Sequence, residues 1–313
     1  MFTGIIQEKG KVVNFSKGIL EISTNLDLSD CKIGSSICCN GVCLTATEIH
    51  FINNLYQFKT NVGEETMFRT TFSENLFNKM NYPAFEVFGT QHLITLSICA
   101  GLIYSYIKYF QIQTVSRQIL GGKVVAIIII IHMLTQPIYD VMLFDLPWQG
   151  EFPLHMCDFS MIAMIIYLLK DNAPKILFNC AYFWGICGAS MALATPDLEY
   201  GFPHGEYSPF FWGHSFILLA VLYVVMVYKE RPYLIDILKV IGVTLGLLIL
   251  VYLANLLIGS PANYWYLVDR PVDGTLMDYF PDPPLHLIPV IPLAVILFYI
   301  AYLPFQIKDK FNN

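Results

Sequence analysis

The residues best equipped for chemistry stand close together in His155-Met156-Cys157-Asp158, where an apolar segment opens after Pro153. A thiol near an imidazole can lose its proton and attack an ester, giving a thioester, while the imidazole acts first as base and then as acid. Asp158 is costly in lipid, so a group of this kind at the mouth of an apolar helix must face protein or water and marks a functional site. Other histidines follow the same logic. His92, His155, His214 and His286 open alternate apolar segments, and His204 and Asp197 lie in a loop on that side. Segment parity therefore gathers five histidines with Cys157 and Asp158 at one face, and leaves His132, near the middle of the second segment, outside the cluster.

Three chemistries fit such a face. The first is thiol-dependent acyl transfer, with Cys157 as nucleophile and a histidine as base. The second is a histidine and aspartate zinc site that activates water. The third is a transporter gate, a polar cluster among Gly and Pro breaks. HExxH and HxxxH spacings are absent, and His155 and Cys157, two residues apart, point to different sides of a helix. No metal site is assigned. Asp197, beside Pro196, either orients a histidine or caps its loop.

Elements must position these groups, and composition says which. Of 313 residues, 56% are hydrophobic and 13% charged, against about 25% charged in an average soluble domain. The apolar residues come in blocks, as in a membrane protein. The net charge of −6 and the lack of a basic run exclude a nucleic-acid surface. No CxxC pair occurs, so neither a thiol redox motif nor a cysteine zinc site is signalled. The first residues lack a secretory-signal pattern, so no removable leader is expected.

Composition changes near residue 81, giving segments 1–80 and 81–313. In the first, Lys11–Phe15 and Ile19–Thr24 flank Ser16-Lys17-Gly18 as a hairpin, and 36–49 and 55–61 add strands. Closely spaced short strands suggest a small antiparallel barrel. Met1-Phe2-Thr3-Gly4-Ile5-Ile6, Asn40-Gly41-Val42-Cys43-Leu44-Thr45-Ala46-Thr47 and Glu65-Thr66-Met67-Phe68-Arg69-Thr70-Thr71 resemble the first lumazine-binding repeat of riboflavin synthase, over residues 1 to about 75. The resemblance implies a Greek-key barrel that ends early, after Phe72, with no second repeat and with open edges. It implies a remnant ligand site at Ser36, Cys43 and Thr45, able to bind a lumazine or flavin weakly. No other cofactor is expected.

The second segment is mainly α, a polytopic membrane bundle. Seven stretches approach the roughly 20 residues a spanning helix needs, near 88–109, 122–144, 153–169, 175–195, 209–228, 234–258 and 285–305. Six is the alternative count, because the third is short and a kink at Pro137 is expected in the second. Lys108, Arg117, Lys123, Lys170, Lys175, Lys229 and Arg231, with Lys308 and Lys310 in the tail, mark one side, and acidic loops mark the other. The positive-inside rule puts the C-terminus in the cytoplasm. With seven spans, the same rule exports the N-terminal segment, which conflicts with a cytosolic riboflavin-pathway domain. Gly185, Gly188, Ala189 and Ser190 suit close helix packing, and Asn263-Tyr264-Trp265-Tyr266 reads as an interfacial aromatic belt rather than a ligand box.

From about residue 85 onward, ordered motifs carry a second resemblance. They are Leu154-His155-Met156-Cys157, Tyr182-Phe183-Trp184-Gly185, Ala194-Thr195-Pro196-Asp197-Leu198, Gly201-Phe202-Pro203-His204, Phe211-Trp212-Gly213-His214, Asn263-Tyr264-Trp265-Tyr266-Leu267 and Thr275-Leu276-Met277-Asp278. The segment resembles the YwaF-type integral membrane proteins of bacteria, whose eukaryotic relatives are similar to cysteine-centred phospholipid acyltransferases. That resemblance implies a thiol and a histidine at Cys157 and His214, with His155 and Asp197 as supporting residues. It implies lipid acyl transfer or hydrolysis in the inner membrane, with membrane lipids as partners and room for a small-molecule ligand. Phe280-Pro281-Asp282-Pro283-Pro284-Leu285 departs from the family's tryptophan-rich stretch after Asp278. The sequence carries no signal for oligomeric state.

Overall fold

The computed structural model describes residues 8, 10–16, 19–39, 42–52, 55–61, 82–144, 146–198, 200–269 and 279–312. The chain divides into two compact units, Met1–Asn81 and Tyr82–Asn313.

The first unit is a five-stranded antiparallel sheet of β1 (Gly10–Ser16), β2 (Ile19–Thr24), β3 (Ser36–Cys39), β4 (Val42–Ile52) and β5 (Leu55–Asn61), in the order β1-β2-β5-β4-β3. Alternation sends Leu20, Ile22, Ile37, Leu44, Ala46 and Phe58 to one buried face, where Leu28 joins them. β4 is long because it serves two partners. Its first residues pair with β3, Ser36 opposite Thr45, and its last with β5, Ile52 opposite Leu55. The register slips between Ala46 and Glu48, and a bulge there bends the strand and deepens its twist, curling the sheet into a half-barrel. The stretch expected as one strand over 36–49 is thus two, separated by Asn40-Gly41. β1 and β3 are the outer strands among the described residues. The segment after Phe72, where the sequence match was expected to end, lies outside those residues.

The second unit contains α1 (Thr90–Gln111), α2 (Val115–Phe144), α3 (Met156–Leu169), α4 (Lys175–Ala194), α5 (Tyr207–Met226), α6 (Leu234–Ile258) and α7 (Leu287–Asn312). Six are long and apolar enough to cross a membrane, and α3 is not. With 14 residues and a rise of 1.5 Å per residue, α3 reaches about 21 Å against a hydrocarbon core of about 30 Å. Among the described residues of this unit both expected counts have their place, as seven helices with six candidate spans. α2 runs 30 residues continuously through Pro137.

α4 and α5 form the middle of the bundle. Phe178, Phe183, Ile217, Ala220, Val221 and Val224 are fully buried, together with Val125, Ala126 and Ile129 of α2 and Met164 of α3. Several polar groups inside the bundle are tied across helices, where water is scarce. Tyr182 Oη donates to Ala301 O (2.8 Å), Trp184 Nε1 to Thr244 Oγ1 (2.9 Å) and Tyr223 Oη to Gln118 O (2.6 Å). At the basic end Arg231 grips Asp309 through both carboxylate oxygens (2.5 and 2.6 Å). Within α4, Gly185–Ala189 winds as a π-helical turn. A Cβ at Gly185 would meet Ile217 Cγ2 at 2.8 Å, whereas one at Gly188 would meet nothing. Close packing therefore accounts for Gly185 and not for Gly188.

Candidate functional site

The α3 start is built by a cap and a clamp. Asp158 Oδ2 accepts from His155 N–H (2.8 Å), satisfying a donor that the helix end would otherwise leave unpaired. The preceding loop, 146–155, is fastened by the turn after α6. Tyr264 is buried; its Oη accepts from Phe152 N–H (2.8 Å) and donates to Gln149 O (2.8 Å). Trp265 Nε1 donates to Leu154 O (2.8 Å), and the Tyr264 ring lies 4.9 Å from that of His155. Asn255, buried in the last turn of α6, braces Tyr264 through both its amide N–H and its carbonyl (2.8 and 2.9 Å). These bonds hold Trp265 and Tyr266 at positive φ (58° and 52°), a conformation that costs non-glycine residues energy and persists only where surroundings enforce it. For Tyr264 and Trp265 the aromatic-belt reading is thereby corrected. Tyr264 and Trp265 are a clamp that positions the α3 mouth.

Next to that mouth stand two imidazoles. His214 Nδ1 is 2.7 Å from Phe210 O. A carbonyl only accepts, so Nδ1 carries the proton and Nε2 presents the lone pair of a base. Its neighbour is His132, whose ring occupies the space a side chain at Gly213 would need and lies 5.8 Å from the Phe216 ring. The expectation that His132 lies outside the cluster is wrong. α2 runs toward the face where α3 and α5 begin, so its second half reaches that face. His132, Gln136 and Asp140 follow at four-residue intervals on one side of α2. That polar stripe in an apolar helix was the signal available in the sequence.

His132 and Gln136 border two cavities. One, about 470 Å³, lies between α2 and α5 and is mostly apolar, with Ile128, Ile131, Trp212 and Phe216 in its wall. The other, about 120 Å³, is lined by Glu151, His155 and Asp158. Gln136 and Glu151 both lie beside the buried Asp140 carboxyl. Burial, then the Asp140 carboxyl beside it, then the charges of Asp158 and Glu206, push the Glu151 carboxyl up to about 7. Gln136, Asp140 and Glu151 were not singled out from the sequence, because charge alone does not tell a solvated loop acid from a buried one.

Cys157, in the first turn of α3, is partly buried against the bundle core with Met156 and Phe159. Burial, and then the Asp158 charge, favour its protonated form. Among the described residues no hydrogen bond joins Cys157 to His214, although both stand at the same end of the bundle. Asp197 is exposed and its charge reaches Tyr266; no hydrogen bond or ion pair ties it to a histidine among the described residues. His92 is a structural stitch. It is buried, its Nδ1 accepts from Phe88 N–H (2.9 Å) and its Nε2 donates to Leu193 O (2.8 Å). His204 packs on Tyr82 and Tyr200 at ring distances of 4.9 and 5.1 Å. His286 is buried. No group of three His, Cys, Asp or Glu side chains able to hold a metal occurs among the described residues.

In the sheet, Ser36 and Thr45 are directly opposed and both exposed, and Cys43 stands opposite Cys38 in the register. The three residues expected to form a remnant site thus share one short hairpin, β3–β4.

Comparison with known proteins follows the division into units. The lumazine-binding domain profile matches residues 3–79, past Phe72. Riboflavin synthase of Actinobacillus pleuropneumoniae is 41% identical over 78 residues, covering 24% of this chain and 34% of that protein. Riboflavin synthase of Bacillus subtilis is 38% identical over 78 residues, with the same coverage. The chain spans about a third of the length of the curated relatives it matches. No solved structure matches it. The helical unit accounts for the larger match, to the TMEM164 family over residues 87–302. That match takes in more than half of the chain and contains every helix that builds the site, and the protein belongs to the TMEM164 family.

Proposed function

We propose that the helical unit transfers or hydrolyses lipid acyl chains, with Cys157 as nucleophile and His214 as base. The observation that carries this reading is the His214 tautomer. With Nδ1–H held by Phe210 O, Nε2 is free to take a proton at the end of the bundle where Cys157 opens α3. Because its surroundings keep the Cys157 thiol protonated, attack and proton transfer are concerted rather than starting from a standing thiolate. Sulfur adds to the ester carbonyl as its proton passes to His214. The tetrahedral intermediate expels the alcohol, which takes that proton, and a thioester remains. An acceptor hydroxyl, or water, then attacks the thioester with His214 again as base, and the thiol is restored. His155 lines the neighbouring polar cavity.

The bundle is multi-pass in the inner membrane, with the basic end and the C-terminus in the cytoplasm, and membrane lipids are its partners. The test is lipid composition in membranes carrying wild-type protein, Cys157→Ala or no protein. Altered acyl chains in wild type alone support the reading. An unchanged composition together with no covalent adduct at Cys157 points instead to a transporter, and loss of activity to chelators with Cys157→Ala active points to zinc.

For the N-terminal unit the reading is weak binding of a lumazine-type or flavin ligand at the hairpin of Ser36, Cys43 and Thr45. It rests on the match to the lumazine-binding domain. Fluorescence titration of the full chain with riboflavin tests it, and no quenching even at high concentration excludes it.

A further inference from the structure

The four cysteines of the first unit fall on two sides of its sheet. Cys31 and Cys39 are partly buried against the core of Leu20, Leu44 and Phe58. Cys38 is exposed, and the register of β3 and β4 sets Cys43 directly opposite it. Residues opposed in an antiparallel pair share one face, so Ser36, Cys38, Cys43 and Thr45 occupy the outer face of one hairpin. Ala46 N–H donates to Ser35 O (2.9 Å), and hydrogen-bonded and non-hydrogen-bonded pairs alternate along an antiparallel ladder. Counted from Ser35 and Ala46, the hydrogen-bonded pairs are Ile37 with Leu44 and Cys39 with Val42, and Cys38 with Cys43 is of the other kind. Loop length gives the same answer. Only two residues separate the strands, and a loop of that length requires a hydrogen-bonded pair at its base, here Cys39 with Val42. Non-hydrogen-bonded partners are the closer kind, with Cα atoms about 4.5 Å apart, inside the roughly 4.4–6.8 Å that a disulfide spans.

We infer that Cys38 and Cys43 form a reversible dithiol–disulfide pair, oxidised by a low-molecular-weight disulfide. The Cys38 thiolate attacks one sulfur of the small disulfide, and a mixed disulfide forms as the first small thiolate leaves. The Cys43 thiolate then attacks the Cys38 sulfur and expels the second. Two protein thiols thus lose two electrons and two protons, and one small disulfide becomes two small thiols. Reversibility has a structural reason. A disulfide stabilises mainly by closing a loop in the unfolded chain, and more so for a longer loop. This one encloses four residues, in a hairpin that the ladder already closes. It adds little to stability, and exposure leaves it open to attack by a reducing thiol. The spacing is not that of a CxxC motif; the strand register alone brings the two residues together. The inference rests neither on acyl transfer nor on ligand binding at the hairpin.

The experiment equilibrates the full chain in detergent with glutathione disulfide and blocks the remaining thiols with N-ethylmaleimide. Hydroxylamine then cleaves the chain at Asn40-Gly41, its single Asn-Gly bond. Residues 1–40 and 41–313 should stay joined without reductant and separate with it. Joining should be lost in Cys38→Ser and in Cys43→Ser, and kept in Cys31→Ser and Cys39→Ser. Excess reduced glutathione, added before the block, should part the two pieces again. A shifted pair guards against a variant that has simply misfolded. Ser36 and Thr45 are also a non-hydrogen-bonded pair, so Ser36→Cys with Thr45→Cys should restore joining to the chain carrying Cys38→Ser and Cys43→Ser. Joining that survives Cys38→Ser, that requires Cys31 or Cys39, or that excess reduced glutathione leaves intact overturns the inference. So does an unsubstituted chain whose two pieces never stay joined.

Discussion

The His132 imidazole lies where residue 213 would place a Cβ. α2 and α5 can approach closely there only because position 213 is glycine. Gly213→Ala should force His132 off its place, with an overpacking cost of about 1–3 kcal/mol. Thermal unfolding in detergent measures the loss. His132→Ala combined with Gly213→Ala should recover most of it, because the clashing ring is gone; simple additivity of the two changes would refute the contact as the cause.

The clamp makes a separate prediction. Tyr264→Phe keeps the ring but removes the acceptor for Phe152 N–H and the donor to Gln149 O. A buried group left unpaired costs about 1–3 kcal/mol. Hydrogen exchange should rise over 146–155 and stay unchanged at the basic end, where Arg231 holds Asp309. Uniformly faster exchange would mean that the tyrosine stabilises the whole bundle rather than the loop.

Glu151 sets a pH dependence. Its folded pKa, up to about 7, lies above the ordinary 4.5, so between those values the folded protein holds a proton the unfolded chain has lost. Stability from this group is therefore fully present below about 4.5, declines as pH rises, and is lost above about 7. Glu151→Gln cannot ionise and should flatten that decline, leaving the variant relatively more stable at alkaline pH. Melting curves across pH for both proteins decide it; parallel curves would assign the dependence to other groups.

Thiol labelling tests the nucleophile. An electrophilic lipid probe should modify Cys157 in wild type and much less in His214→Ala, since a protonated thiol needs a base to react. Cys99 and Cys180, both buried in their helices, should remain unlabelled in either protein. Equal labelling of Cys157 with and without His214 would end the paired-residue mechanism.

Much of this site was legible in sequence, though unevenly. His155, Cys157 and His214 stand out because such residues are rare at the openings of apolar segments, and parity places them at one end. For His132, position along the segment does not give depth, because the direction of α2 carries its second half toward that end. Its companions Gln136 and Asp140 were visible as a four-residue repeat, but Glu151 looked like any loop acid until its loop was seen folded under Tyr264. That tyrosine, one of four polar or aromatic residues in a row, could equally have faced the membrane interface.

By itself the sequence determined the membrane class, the two-part organisation, the strand alternation of the first unit and the approximate helix spans. These follow from hydrophobic periodicity and length, which are properties of neighbouring residues. The tertiary structure alone decided which histidines are structural and which line a cavity. It set the tautomer of His214, the approach of Glu151 to Asp140 and the contact of His132 with position 213. Each of these depends on atoms from segments far apart in the chain, and their approach is fixed by helix packing, which no local pattern of residues specifies.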